Sequence, residues 1–311
     1  MEWLNNYEED LRRVFARVKD VAAGFPAPLD RESLSYLSHF DPCLEHSSKN
    51  YICYLLPFWL MGQADVKPTV CRDLAAANVM AMLHFFIIDD AMDTDDGRRW
   101  LYLPAGQLFY EAFQDCYRQH FPAASPLWEL YKNYIRDWAE QVVSERINGT
   151  SPGDWAAIAR KAGPLKLSSS AVLLLSGAGD RIPDISEAVD LVLTTLQLAD
   201  DWADWKDDLN VEGNNALLAL IREKLQLGKD ERLTAEAVKQ AVYVDKALAD
   251  YVSLANLNRE RLAQIENAPV HLTAFHDYIC NRLEEDAKQI ESSRMMLEQG
   301  GLSYWLSKLV K

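Results

Sequence analysis

From Val70 to about Asp93 the chain reads as one helix, opened by Pro68-Thr69 and apolar almost throughout after Leu74. It ends abruptly in charge: Phe85-Phe86-Ile87-Ile88-Asp89-Asp90-Ala91-Met92-Asp93-Thr94-Asp95-Asp96-Gly97-Arg98-Arg99. A helix with no polar face must be surrounded by other elements, so this segment requires a core built around it. The pattern recurs from Ile185, where a mostly apolar run closes in Asp200-Asp201-Trp202-Ala203-Asp204-Trp205-Lys206-Asp207-Asp208. Helical spacing of apolar residues fills most of the remaining chain: Trp3–Ala22, Arg31–Phe40 with Asp30 as its cap, Tyr51–Met61, Ala105–His120, Leu127–Ile147, Asp154–Lys161, Leu165–Ser176, Asn215–Leu225, Ala235–Glu266, His271–Glu298 and Leu302–Val310. Strand signals are nearly absent, and Asp96-Gly97 and Asn148-Gly149 lie between helical patterns instead of alternating runs. No repeat, low-complexity tract or linker-like shift divides the chain. The expectation is an all-α fold, a single domain over residues 1–311, with ten or more helices around a central cavity.

The formal net charge of -15 repels phosphate backbones and anionic lipid, which excludes nucleic acid and membrane surfaces as expected partners. A diphosphate is still admissible when cations bridge it to the protein. Five cysteines without a CxxC pair read as buried free thiols of a reducing, cytoplasmic setting. The start, Met1-Glu2-Trp3-Leu4-Asn5-Asn6, has no basic segment followed by an apolar run, so no signal peptide is expected. No apolar stretch is read as reaching the ~18 residues of a bilayer span, with Ala171 to Ala178 the most apolar window.

Asp89 and Asp93 are four apart, so a helix stacks them on one face. Like charges there repel and oppose the helix macrodipole, and a bound cation relieves both effects. Asp200, Asp204 and Asp208 drift only about 80° around an ideal helix and can serve one metal site. Carboxylates suit magnesium, which takes its remaining oxygens from water and substrate phosphates. The two acidic stretches are expected to face each other across a pocket.

Asp89-Asp90-Ala91-Met92-Asp93 followed by Arg98-Arg99 resembles the first aspartate-rich motif of trans-isoprenyl diphosphate synthases. Gln197-Leu198-Ala199-Asp200-Asp201-Trp202-Ala203-Asp204 is similar to their second motif, and Lys161-Ala162-Gly163 with Leu165 to the lysine-containing helix between the two. The resemblance covers roughly residues 80 to 210 and implies the class I isoprenoid synthase helical bundle around a central active-site cavity. It implies magnesium, as three ions with bound diphosphate, held by Asp89, Asp90, Asp93, Asp200, Asp201, Asp204 and Asp208. It also implies diphosphate contacts from Arg98, Arg99 and Lys161, with Gln197, Trp202 and Lys206 near the substrate. Chain-elongating members carry a Gly-Gly-Lys-Arg segment; the nearest stretch here, Ser48-Lys49-Asn50-Tyr51, lacks the glycines and the arginine. Asn214-Asn215 stand where a lysine usually follows the second motif. The three-aspartate stripe also matches the spacing of the metal triad in terpene cyclases.

These features favour a terpene synthase acting on one prenyl diphosphate. The alternatives are a prenyltransferase adding isopentenyl diphosphate and a non-catalytic subunit of such an enzyme. Phe85 and Phe86, one turn before Asp89, are expected to floor the pocket, where aromatic faces steady a carbocation. His84 reads as a core histidine with satisfied ring nitrogens. Partners beyond the substrate are limited to a second copy in a homodimer, with no stable membrane insertion.

Overall fold

The computed structural model describes residues 1–93, 102–148, 155–209, 215–228 and 231–298. Among the described residues there are fourteen α-helices and no strand. In chain order they are α1 (Glu2–Asn5), α2 (Glu8–Ala23), α3 (Leu29–Ser38), α4 (Tyr51–Met61), α5 (Pro68–Asp93), α6 (Leu103–Arg118), α7 (Leu127–Asn148), α8 (Trp155–Lys161), α9 (Leu167–Leu175), α10 (Ile182–Asp208), α11 (Ala216–Lys224), α12 (Ala235–Tyr243), α13 (Ala247–Gln264) and α14 (Val270–Glu298). The all-α expectation holds; the expected helix over Leu302–Val310 lies outside the described residues. The chain divides into two compact units. The first comprises Met1–Trp138, Ala162–Glu187 and Pro269–Leu272; the second comprises Ala139–Lys161, Ala188–Ala268 and Thr273–Lys311.

In the first unit α5 is the central element, packed by α2, α4 and α6. Leu74 to Ala77, Val79 to Leu83 and Ile87 are all buried, so the helix buries its whole circumference. Each fully buried leucine or valine there contributes about 1.5–3 kcal/mol. Asn78 is the polar exception, and its Nδ2 donates to the Cys53 carbonyl of α4 at 2.8 Å. α4 is likewise buried from Ile52 to Leu60, and the Asn50 side chain caps its start by accepting from the Cys53 N–H at 3.3 Å. Gly106 of α6 lets that helix approach α5 closely, since a Cβ at this position would stand 3.1 Å from Ile87 Cγ2.

Two expectations are corrected here. Pro68–Met92 is long and apolar enough to cross a membrane by length and composition, contrary to the reading that no stretch reaches that length; 61% of its most apolar window is buried inside the protein. Cys43 is exposed, while Cys53, Cys71, Cys116 and Cys280 are buried and all five are free thiols. Element ends shift as well. The expected first helix is two, broken at Asn6 and Tyr7, beside side-chain amides that compete for backbone hydrogen bonds. Asp30 lies inside the first turn of α3 and does not cap it.

In the second unit Leu198 and Trp205 of α10 join a core with Leu217 and Ile221 of α11, Val238 of α12, and Leu248 and Tyr251 of α13. The expected helix from Ala235 to Glu266 is interrupted, because Lys246 adopts a left-handed conformation with φ 59 between α12 and α13. Thr234 caps α12, its hydroxyl accepting from the Ala237 N–H at 3.2 Å.

Candidate active site

The acidic end of α5 belongs to the first unit. Asp89 and Asp90 are half-buried, as are Phe85 and Phe86 in the preceding turn. Asp90 Oδ2 accepts a hydrogen bond from the Tyr36 hydroxyl of α3 at 3.0 Å. Phe85 meets Trp138 at 4.9 Å between ring centroids, and Phe86 meets Phe40 at 5.3 Å. The two phenylalanines are thus parts of an aromatic cluster next to the aspartates. His84 is half-buried, and its Nδ1 lies 3.0 Å from the Gly106 carbonyl, so that nitrogen carries the proton of the neutral ring. Burial lowers its pKa and keeps the ring neutral. Asp93 is the last residue of α5, and its carboxylate lies outside the described side chains; Arg98 and Arg99 lie outside the described residues.

The second acidic stretch closes α10 in the second unit. Asp200 is open at its surface yet loses hydration among its neighbours. That loss first, then repulsion from Asp204 and Asp201, raises its carboxyl to about 6. Asp204 is also raised, by lost hydration and then by Asp208 and Asp207. The charged forms of Asp200 and Asp204 are thus disfavoured beside neighbouring carboxylates, the condition a divalent cation relieves.

Asp201 is different. It is 3% exposed and takes three hydrogen bonds: Gln197 Nε2 on Oδ1 at 2.8 Å, and the Ala216 N–H and Tyr251 hydroxyl on Oδ2 at 2.8 and 3.3 Å. Burial raises its pKa while these donors oppose the rise. Asn215 stands beside it, donating from Nδ2 to the Asp201 carbonyl and to Asp208 Oδ2, both at 2.8 Å. Its Oδ1 caps α11 by accepting from the Leu218 N–H at 3.0 Å. Asp201 and Gln197 are therefore engaged with the protein itself, as is Asp208 through Asn215.

The remaining expected contacts fall elsewhere in the second unit. Trp202 and Lys206 are offset by about 200° from Asp200 and Asp204 respectively, so they share the other flank of α10. Trp202 Nε1 donates to Asp286 Oδ2 of α14 at 2.9 Å, and Lys206 Nζ lies 5.7 Å from the Trp205 ring. Trp202 lines a half-open cleft of about 640 Å³ with Tyr243, Asp286, Ile290, Arg294 and Leu297, none of them an acid of the α10 stripe. Lys161 pairs with Glu145, Nζ to Oε2 2.7 Å. Tyr36 and Tyr251 are the residues the sequence reading missed, since nothing local marks a tyrosine on another helix as the partner of an aspartate; Asn215 stands in that reading only in place of a lysine.

Among the described residues no three His, Cys, Asp or Glu side chains converge on a single metal position. The donor set still suits a magnesium ion that keeps waters and takes its other oxygens from a diphosphate, for which convergence of three protein ligands is not required. No protein-family model matches the chain, and no curated protein matches its sequence.

Proposed function

We propose that the protein is a class I terpene synthase that ionises an allylic prenyl diphosphate and releases a terpene hydrocarbon or alcohol with diphosphate. The observation that carries this reading is the repeated construction of α5 and α10, apolar helices that each finish in aspartates at four-residue spacing. The fold proposed with it is the class I isoprenoid synthase bundle, of which the all-α architecture is the coarser part. Free thiols suit the reducing, cytoplasmic setting proposed alongside it.

Magnesium, when bound with the substrate diphosphate, supplies Lewis-acid neutralisation of leaving-group charge. Asp89 and Asp93, and separately Asp200, Asp204 and Asp208, are the carboxylates assigned to hold it. Arg98 and Arg99 are assigned to the diphosphate oxygens, which guanidinium groups grip in pairs. The allylic C–O bond breaks with its electron pair leaving on the diphosphate oxygen. The cation ends by losing a proton to give a hydrocarbon, or by adding water and losing a proton to give an alcohol. Phe85 and Phe86 are assigned to exclude water and present ring faces to the cation, each interaction worth about 0.5–2 kcal/mol.

The test is incubation of the purified protein and magnesium with geranyl, farnesyl or geranylgeranyl diphosphate, with and without isopentenyl diphosphate. A hydrocarbon or alcohol from the allylic substrate alone is expected. A longer diphosphate formed only with both substrates identifies a prenyltransferase instead, and no turnover in any mixture identifies a non-catalytic subunit. Asp89→Ala is expected to abolish turnover with unchanged far-ultraviolet circular dichroism; full activity in that variant refutes the assignment.

A further inference from the structure

Asn215 uses every polar atom of its side chain. One Nδ2 hydrogen goes to the Asp201 carbonyl and the other to Asp208 Oδ2, each at 2.8 Å, while Oδ1 holds the Leu218 N–H at 3.0 Å. No other common side chain of this size offers two donors and an acceptor: Asp has no donor when ionised, and Ser has one. Asn215 is 2% exposed and Asp201 3%, so both are held where an unpaired polar group would be costly. Helix geometry explains why Asp208 belongs to this network. Seven residues after Asp201, it comes back to within about 20° of Asp201 around the axis. Tyr251, from α13, fixes the other side of Asp201 through Oδ2 at 3.3 Å, and the Ala216 N–H at the start of α11 does so at 2.8 Å. The last two turns of α10 are thereby tied to the start of α11 and to α13 through two buried side chains.

We propose that Asp201 and Asn215 are positioning residues: with Tyr251 they clamp the end of α10 and aim the Asp208 carboxylate, so that Asp208 binds a divalent cation and Asp201 does not. This rests on the reading of Asp208 as a ligand. The end of α5 shows a related device, in which the second aspartate of the Asp89-Asp90 pair accepts the Tyr36 hydroxyl at 3.0 Å. In both acidic stretches, then, the second member of an Asp-Asp pair is held by a tyrosine from another helix.

The experiment is manganese binding by the full chain in the presence of inorganic diphosphate, read by electron paramagnetic resonance, in four proteins: unchanged, Asn215→Ser, Asp208→Asn and the double variant. Serine keeps the α11 cap but not the paired donors. Loss of an outer partner of a metal ligand typically costs about 10–100-fold in affinity, and Asn215→Ser is expected to fall in that range. In the Asp208→Asn background the same change is expected to cost less than about twofold, because the carboxylate it aims is gone. Unchanged affinity in Asn215→Ser overturns the proposal. So does an equal loss with and without Asp208, which marks a purely structural role. Should Asn215→Ser fail to fold, Tyr251→Phe keeps the ring and the Asn215 cap of α11; weakened manganese binding in a protein of unchanged helicity supports the clamp, and unchanged binding overturns it. Absence of manganese binding by the unchanged protein overturns both this inference and the metal assignment beneath it, whereas binding without any effect of the variants overturns the clamp alone.

Discussion

At the scale of single residues, folding strongly alters the chemistry of His276. It is fully buried, with Nε2 2.9 Å from Thr195 Oγ1. Thr195 donates its one hydroxyl proton to the Leu191 carbonyl at 3.0 Å and accepts from Asn258 Nδ2 at 3.0 Å. Its remaining lone pair therefore accepts, and His276 Nε2 carries the proton of a neutral ring. Burial first, and Arg259 second, lower the His276 pKa to about 4. An unfolded chain holds histidine near ~6.5, so between those values the unfolded state binds a proton that the folded state refuses. Stability from this group is full above the unfolded value and is lost as the pH falls through the window, on the order of 3 kcal/mol by its lower end. The urea midpoint is expected to drop more steeply from pH 7 to pH 4.5 in the unchanged protein than in His276→Gln; parallel profiles would remove the histidine from this role. None of this was legible in the sequence, where His276 has no patterned neighbours. Its partner Thr195 is 81 positions away, and the Asn258 that donates to Thr195 is 18 away; packing alone brings them together.

At the scale of elements, α5 carries the first unit. Its apolar character was legible because a run of buried positions on all sides leaves no polar stripe to read. The close approach of α6 was not, since a glycine in a helix signals nothing about what it faces. Gly106→Val would drive a branched side chain against Ile87 and is expected to cost about 1–3 kcal/mol, measured by chemical denaturation. Wild-type stability would show that the two helices have room to spare. Breaks between elements were the weakest part of the reading. Tyr243-Val244-Asp245-Lys246 contains neither glycine nor proline, yet Lys246 turns left-handed and separates α12 from α13. Conversely, Asn215 looked like a substitution for a lysine and proved to be a helix cap and a bridge in one side chain.

At the scale of the whole molecule, a net charge of -15 makes bound cations stabilising wherever carboxylates crowd. A ligand that binds only the folded chain stabilises it by about 2.7 kcal/mol at a hundredfold excess over its dissociation constant. Magnesium with inorganic diphosphate is therefore expected to raise the melting temperature by several degrees, and Asp89→Ala to lose most of that rise. An equal rise in both proteins would place the binding elsewhere. The sequence by itself determined the helical class, the central place of α5 and the aspartate spacing on α5 and α10, because these depend on periodicities of three and four along one segment. Only the tertiary structure decided which aspartates are open and which are anchored. Asp200 and Asp201 are adjacent and chemically identical, yet one carboxyl is exposed beside other carboxylates while the other is enclosed by Gln197, Ala216 and Tyr251. That difference comes from side chains up to fifty positions away, brought to Asp201 by packing and invisible to any local pattern.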